Sequence, residues 1–90
     1  MSVYCDPLAA CVPSKTWPWH HSAHLFADTV EELHALAGQI GLKRAWFQDD
    51  GYFPHYDLTE NKRRQAARAG VICLSRAEAC QKWGEIFKPK

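Results

Sequence analysis

The sequence predicts a small α/β domain, and three observations carry that prediction. Short β-prone runs alternate with segments of helical periodicity. Two helix starts carry capping boxes, Thr29-x-x-Glu32 and Ser75-x-x-Glu78. The chain has 90 residues, of which 47% are hydrophobic, with four Trp, four Phe and three Tyr, enough for one modest core. The expected architecture is a single α/β domain over 1–90, with a mostly parallel sheet of three to four strands and about three helices.

Val3-Tyr4-Cys5 reads as the first strand, closed by the turn pair Asp6-Pro7. Residues 7–22 follow as a long Pro- and Trp-rich connection holding Pro7, Pro13, Pro18, Trp17, Trp19, His20 and His21. Ala23 to Ala27 is the second strand. Its alternation places Ala23, Leu25 and Ala27 on one face, and His24, Phe26 and Asp28 on the other. Thr29 then opens a helix to about Ile40. Val30, Leu33, Ala37 and Ile40 make its apolar stripe, and Gly41 suits the left-handed position after its end. The crossover after residue 28 is expected to be right-handed. Ala45 to Gln48 reads as a third short strand, ended by Asp49-Asp50-Gly51, and Tyr52 to Leu58 as a loop. Thr59 caps a second helix whose apolar face is only alanine and which Gly70 stops. Val71 to Leu74 is a buried-type strand. Ser75 opens a third helix over about 76–87, with Ala77, Cys80, Trp83 and Phe87 as its stripe and Trp83 in the core. Residues 88–90 form a flexible tail.

Composition removes several function classes. The formal net charge is +1, so no global electrostatic field favours nucleic acid or a membrane surface, and any basic footprint must be local. No apolar run approaches the ~18 residues of a membrane span. The N-terminus lacks the basic and long apolar regions of a signal peptide, so the expected location is cytoplasmic. The four cysteines, Cys5, Cys11, Cys73 and Cys80, read as free thiols, with Cys5, Cys73 and Cys80 buried as small hydrophobes. No Cys-x-x-Cys pair supports a structural zinc site. His20 and His24 have a metal-binding helical spacing, but they lie on a Pro-Trp loop running into a strand. No metal ligand set is therefore assigned, and no motif names a cofactor.

Val3-Tyr4-x-Asp6, His24-x-x-Ala27-Asp28, Glu31-Glu32-Leu33-His34, Ile40-Gly41-Leu42, Trp46-Phe47-Gln48 and His55-Tyr56-Asp57-Leu58, followed by Lys62-Arg63, form a combined pattern. It resembles the domain-of-unknown-function family 4031, small proteins of bacteria and their phages, from residue 3 to about 74. The resemblance implies domain limits and a bacterial or phage context, and it supplies no activity. The Cys11 to Trp19 stretch is longer than the family pattern.

The residues that carry chemistry follow from the fold expectation. Ligands bind beyond the carboxyl ends of parallel strands, which would bring Asp6, Asp28, Gln48, Asp49 and Ser75 to one edge. Asp6 and Asp28 read either as a carboxylate pair for a metal or acid/base work, or as a turn residue and a helix cap. His24 is either a base or phosphate contact, or a core histidine bonded to backbone. Asp57 can orient His55, or support the start of the second helix. His34, beside the helical stripe, reads as structural. Lys62, Arg63, Arg64 and Arg68 make the second helix basic, as a solvated face or a phosphate clamp, and Trp19 and Trp17 can stack on a base or meet a partner.

Two functions remain open. In the first, His24, His55, Asp57 and Asp6 are catalytic and Lys62, Arg63, Asp28, Gln48 and Trp19 bind ligand, in a site that binds or hydrolyses a phosphate-containing small molecule or nucleic acid. In the second, the Trp-rich loop and basic helix form a non-catalytic surface for a protein partner. The test between them is whether His24, His55, Asp6 and Asp57 converge.

Overall fold

The computed structural model describes residues 2–15, 17–48 and 54–86. Nine elements follow in order: β1 (Val3–Cys5), β2 (Ala9–Ala10), β3 (His21–Ala27), α1 (Val30–Gln39), a 3-10 turn (Arg44–Trp46), β4 (Tyr56–Leu58), α2 (Glu60–Arg68), β5 (Ile72–Cys73) and α3 (Arg76–Ile86). The α/β class and the three helices match the expectation. The sheet has five strands and is mixed and mostly antiparallel, which corrects the parallel expectation.

Strand β3 is its hub. It pairs antiparallel with β1 (Val3↔Ala27, Tyr4↔Phe26, Cys5↔Leu25), with β2 (Ala9↔Ser22, Ala10↔His21) and with β4 (Ala23↔Leu58, His24↔Asp57, Leu25↔Tyr56). Among the described residues only β1 and β5 run parallel, with Tyr4 opposite Ile72 and Cys5 opposite Cys73. The physical reason lies in residues 7–22. They fold back as a hairpin arm instead of crossing the sheet, held by Cys11 N–H donating to His20 O at 2.8 Å and Ser14 N–H to Trp17 O at 2.8 Å. Three prolines marked this stretch as loop, and the two alanines of β2 carry almost no strand signal. With β3 and β4 antiparallel, the handedness rule for parallel crossovers does not apply to the connection through α1.

Two further assignments are corrected. Ala45 to Gln48 is not a strand: Arg44–Trp46 forms a single 3-10 turn, and only Gln48 bridges to the sheet, opposite His55. Conversely, Tyr56–Leu58 is a strand. Its apolar-polar-apolar alternation is too short to stand out beside a loop, and burial of Tyr56 and Leu58 fixes it.

Helix ends follow the sequence closely. Thr29 Oγ1 accepts from Glu32 N–H and Thr59 Oγ1 from Lys62 N–H, each at 3.2 Å. Ser75 and Glu78 satisfy each other's backbone amides at 2.9 and 3.1 Å, a complete capping box. Helices α1 and α2 end alike. Leu42 N–H reaches Ala37 O, and Val71 N–H reaches Ala66 O, around Gly41 (φ 82°) and Gly70 (φ 94°). This closure needs a left-handed residue, which glycine supplies without Cβ strain.

The sheet separates two apolar layers. On one face Cys5, Ala23, Leu25, Tyr56 and Leu58 pack with Leu33 and Ala37 of α1 and Ala66 of α2. On the other, Tyr4 and Phe26 pack with Ala79 of α3, and Leu74, Trp83 and Ile86 close around them. The buried line of α3 is thus Ala79, Trp83 and Ile86. Ala77 and Cys80 are exposed and Trp83 is half-buried, which corrects the predicted stripe and its core Trp; Phe87 and the tail lie outside the described residues. All four cysteines are free, but only Cys5 is buried; Cys73 and Cys80 are exposed, against expectation. Among the described residues no helix is long and apolar enough to cross a membrane.

Candidate functional site

The antiparallel register builds the site. Side chains of directly opposed residues share a face, so Asp57 of β4 lies beside His24 of β3. On the other edge, Asp6 continues the β1 ladder with its N–H on His24 O at 3.2 Å. Period-two alternation puts His55 on the same face as Asp57, and the Gln48–His55 bridge delivers Gln48. This is the face that carries Phe26 and α3.

Asp6 grips His24 twice. Oδ1 accepts the His24 backbone N–H at 2.7 Å, in place of a ladder carbonyl, and Oδ2 lies 2.7 Å from Nδ1. An ionised carboxylate only accepts, so Nδ1 carries the proton and donates it. The ring is fixed, and Nε2 points toward β4, 3.9 Å from Asp57 Oδ1. His55 Nε2 approaches the same oxygen at 3.5 Å. The other carboxylate oxygen, Oδ2, accepts a short hydrogen bond from Gln48 Nε2. The two imidazoles meet edge to face with centroids 5.1 Å apart, and Trp83 stands edge-on to His24 at 5.6 Å. Burial opposes ionisation of Asp57, but the His55 and Gln48 N–H groups aimed at it, and the positive charge available on both imidazoles, outweigh burial. They hold its carboxyl below the ordinary value. His24, His55 and Asp57 each offer one ligand atom, all within 4.8 Å of one another, and among the described residues they form the group able to hold a metal ion.

A cleft of about 290 Å³ opens beside the cluster, between the β2–β3 arm and α3. Its walls include Asp6, Ser22, His24, Arg76, Cys80 and Trp83. Arg76 brings a guanidinium to it from the first turn of α3.

The structure therefore brings His24, His55, Asp57, Asp6 and Gln48 together. It does not bring Asp28. Asp6 and Asp28 follow antiparallel strands, so they sit at opposite ends of their pairing, which corrects their expected shared edge. Asp28 accepts from Tyr4 OH at 3.1 Å and Ser2 N–H at 3.2 Å, while Thr29 caps the helix. Asp49 lies outside the described residues. Lys62 Nζ donates to Ile40 O at 2.7 Å and so closes the carboxyl end of α1. Arg63 Nε donates to Asp6 O at 3.0 Å, bracing the residue that holds His24. Trp19 stands exposed against Trp17, with centroids 4.8 Å apart. His34 meets Tyr56 OH at 2.8 Å under α1. Arg76, Ser22 and Cys80 were not read as site residues from the sequence. Arg76 is merely an interior position of the second capping box, and nothing local marks it as lining the cleft that His24 also lines.

Fold and site together define a small α/β protein with an imidazole–carboxylate cluster on one face of a mixed sheet. The chain belongs to DUF4031, a family of proteins of unknown function, whose model matches residues 3–84. Neither the curated proteins nor the solved structures compared with it give a match.

Proposed function

We propose that the protein binds a phosphate-containing ligand, a nucleotide or a nucleic-acid end, in the cleft between β3 and α3 and hydrolyses it at the adjoining His24–His55–Asp57 cluster. One observation carries this reading. His24 is locked by Asp6 at the boundary between the His55–Asp57–Gln48 group and a cleft whose lining includes an arginine. The Arg76 fork matches phosphate oxygens. Trp83 offers an aromatic wall beside His24, and the cluster supplies the polar atoms that orient an attacking water. The reaction class is phosphoester hydrolysis. Water oxygen bonds to phosphorus, the P–O bond to the alcohol breaks, and the alcohol departs with a proton from the water.

The test is a titration of ¹⁵N-labelled protein with mononucleotides, read at the His24 and His55 rings and at Arg76. Shifts confined to these residues and the start of α3 support the reading. Equal shifts across Lys43, Arg64 and Arg68, with none at His24, contradict it.

A second reading, a protein-interaction module, is favoured by the exposed tip of the β2–β3 arm, where Val12 is 89% and Trp19 48% exposed. The basic helix contributes less to it. Lys62 and Arg63 are engaged in packing, and Arg64 pairs with Glu60 at 3.2 Å.

A further inference from the structure

We propose that His24, His55 and Asp57 form a three-ligand site for a divalent transition-metal ion of the zinc type, with a fourth position open to water. The donor set is two imidazole nitrogens and one carboxylate oxygen. Imidazole selects zinc, cobalt, nickel or iron over magnesium and calcium, which prefer all-oxygen shells. Three protein ligands with one open position are the pattern of catalytic rather than structural zinc.

The distances fit an ion better than hydrogen bonds. Asp57 Oδ1 is 3.5 Å from His55 Nε2 and 3.9 Å from His24 Nε2. A good N–H···O bond spans about 2.7–3.2 Å. Two donors on a tetrahedral ion with bonds of about 2.0–2.1 Å stand about 3.3 Å apart. The three ligand atoms lie within 4.8 Å of one another, so ligation requires the side chains to close on the ion.

The outer contacts are those a metal centre requires. A ligating histidine normally donates its other N–H to a carboxylate, which sets the tautomer and aims the ligating nitrogen. Asp6 does this for His24 at 2.7 Å. Gln48 holds Asp57 Oδ2, which leaves Oδ1 as the ligating oxygen. Side-chain exposures of 36% for His24, 27% for Asp57 and 14% for His55 leave the group open to an ion and a water. His24 and Asp57 are directly opposed on paired strands and His55 is the bridge residue just before β4, so the three are together before the ion arrives. A bound ion would lower the pKa of its water to about 7, and would thus supply the nucleophile for the hydrolysis proposed above. The ion's binding itself is measurable with no phosphate ligand present.

The experiment is a titration of the chelator-treated full chain with Co²⁺ alone, followed by visible absorption and by paramagnetic NMR shifts, and repeated with Zn²⁺ by calorimetry. The expected result is one ion per chain, d–d bands of low-coordinate cobalt, and paramagnetic shifts centred on His24, His55 and Asp57. Zn²⁺ displaces the Co²⁺. Asp57→Asn and His55→Ala abolish binding, His20→Ala leaves it unchanged, and Asp6→Asn weakens it about 10–100-fold at unchanged stoichiometry. Circular dichroism of each variant separates lost ligands from lost fold, and the wild-type shifts stand without any variant. No stoichiometric binding at millimolar Co²⁺, or paramagnetic shifts centred on His20 and His21, overturns the proposal. Ion binding without phosphoester turnover leaves the metal site standing and defeats the hydrolytic reading. Mononucleotide binding at Arg76 in chelator-treated protein that takes no Co²⁺ does the reverse.

Discussion

A single residue, Asp6, orients His24 within the cluster, because it replaces a ladder carbonyl and also fixes the ring. Asp6→Ala strands the His24 amide in a partly buried position. The expected loss is about 1–3 kcal/mol in urea unfolding at unchanged m-value, and a loss below about 0.5 kcal/mol would contradict that role. His34 gives a second prediction, away from the cluster. Burial, then the nearby Arg44 charge, lower its pKa below the ordinary 6.5. Tyr56 OH lies within hydrogen-bond reach of its Nδ1, at 2.8 Å. The unfolded chain therefore binds more protons than the folded one below about pH 6.5. Stability is complete above that value and falls as pH drops through the folded pKa. An NMR titration should place His34 below 6.5; titration at or above it contradicts the assignment. At this scale the sequence was half legible. His24, His55, Asp57, Asp6 and Gln48 could be named from residue chemistry and the family resemblance. Arg76 could not, because its significance comes only from what α3 faces.

Elements were legible where local chemistry determines them. Capping boxes and the glycines at 41 and 70 placed all three helices within about two residues, since a cap is a contact between near neighbours. Strands of two or three residues carry no such signal. Tyr56–Leu58 and Ala9–Ala10 are made strands by the partner β3 supplies. Strand β5 yields a test. Cys5 and Cys73 are in register with sulfurs 3.5 Å apart and are both free thiols. Burial, then contact with Cys73, pushes the Cys5 thiol up to about 12. The thiolate is the reactive form, so a disulfide-exchange reagent should titrate Cys11, Cys73 and Cys80 first and reach Cys5 only on unfolding. Rapid labelling of all four would contradict this. On α3, Trp83 packs against Phe26 at 5.4 Å while half-exposed. Trp83→Ala should cost about 2–3 kcal/mol, under the about 3–5 kcal/mol of a fully buried aromatic; under about 1 kcal/mol would show that α3 docks without it.

For the whole molecule, strand direction mattered more than element identity. A parallel sheet would have gathered Asp6 and Asp28 at one edge. The antiparallel hub separates them and instead sets Asp6 and Asp57 on either side of His24, with His55 and Gln48 completing the group. Strand direction depended on whether residues 7–22 cross the sheet or turn back, and three prolines permit either. The proposed hydrolytic phosphate site is this group together with Arg76 on the wall of the adjoining cleft. The most direct measurement is steady-state turnover of phosphomonoester and phosphodiester nucleotides, with zinc or cobalt supplied, by the wild type, His24→Ala and Arg76→Ala. The expected result is turnover by the wild type, its loss by about 100-fold or more in folded His24→Ala, and a raised KM with little change in kcat for Arg76→Ala. Absence of turnover on every phosphoester, or equal rates in wild type and His24→Ala, would contradict it.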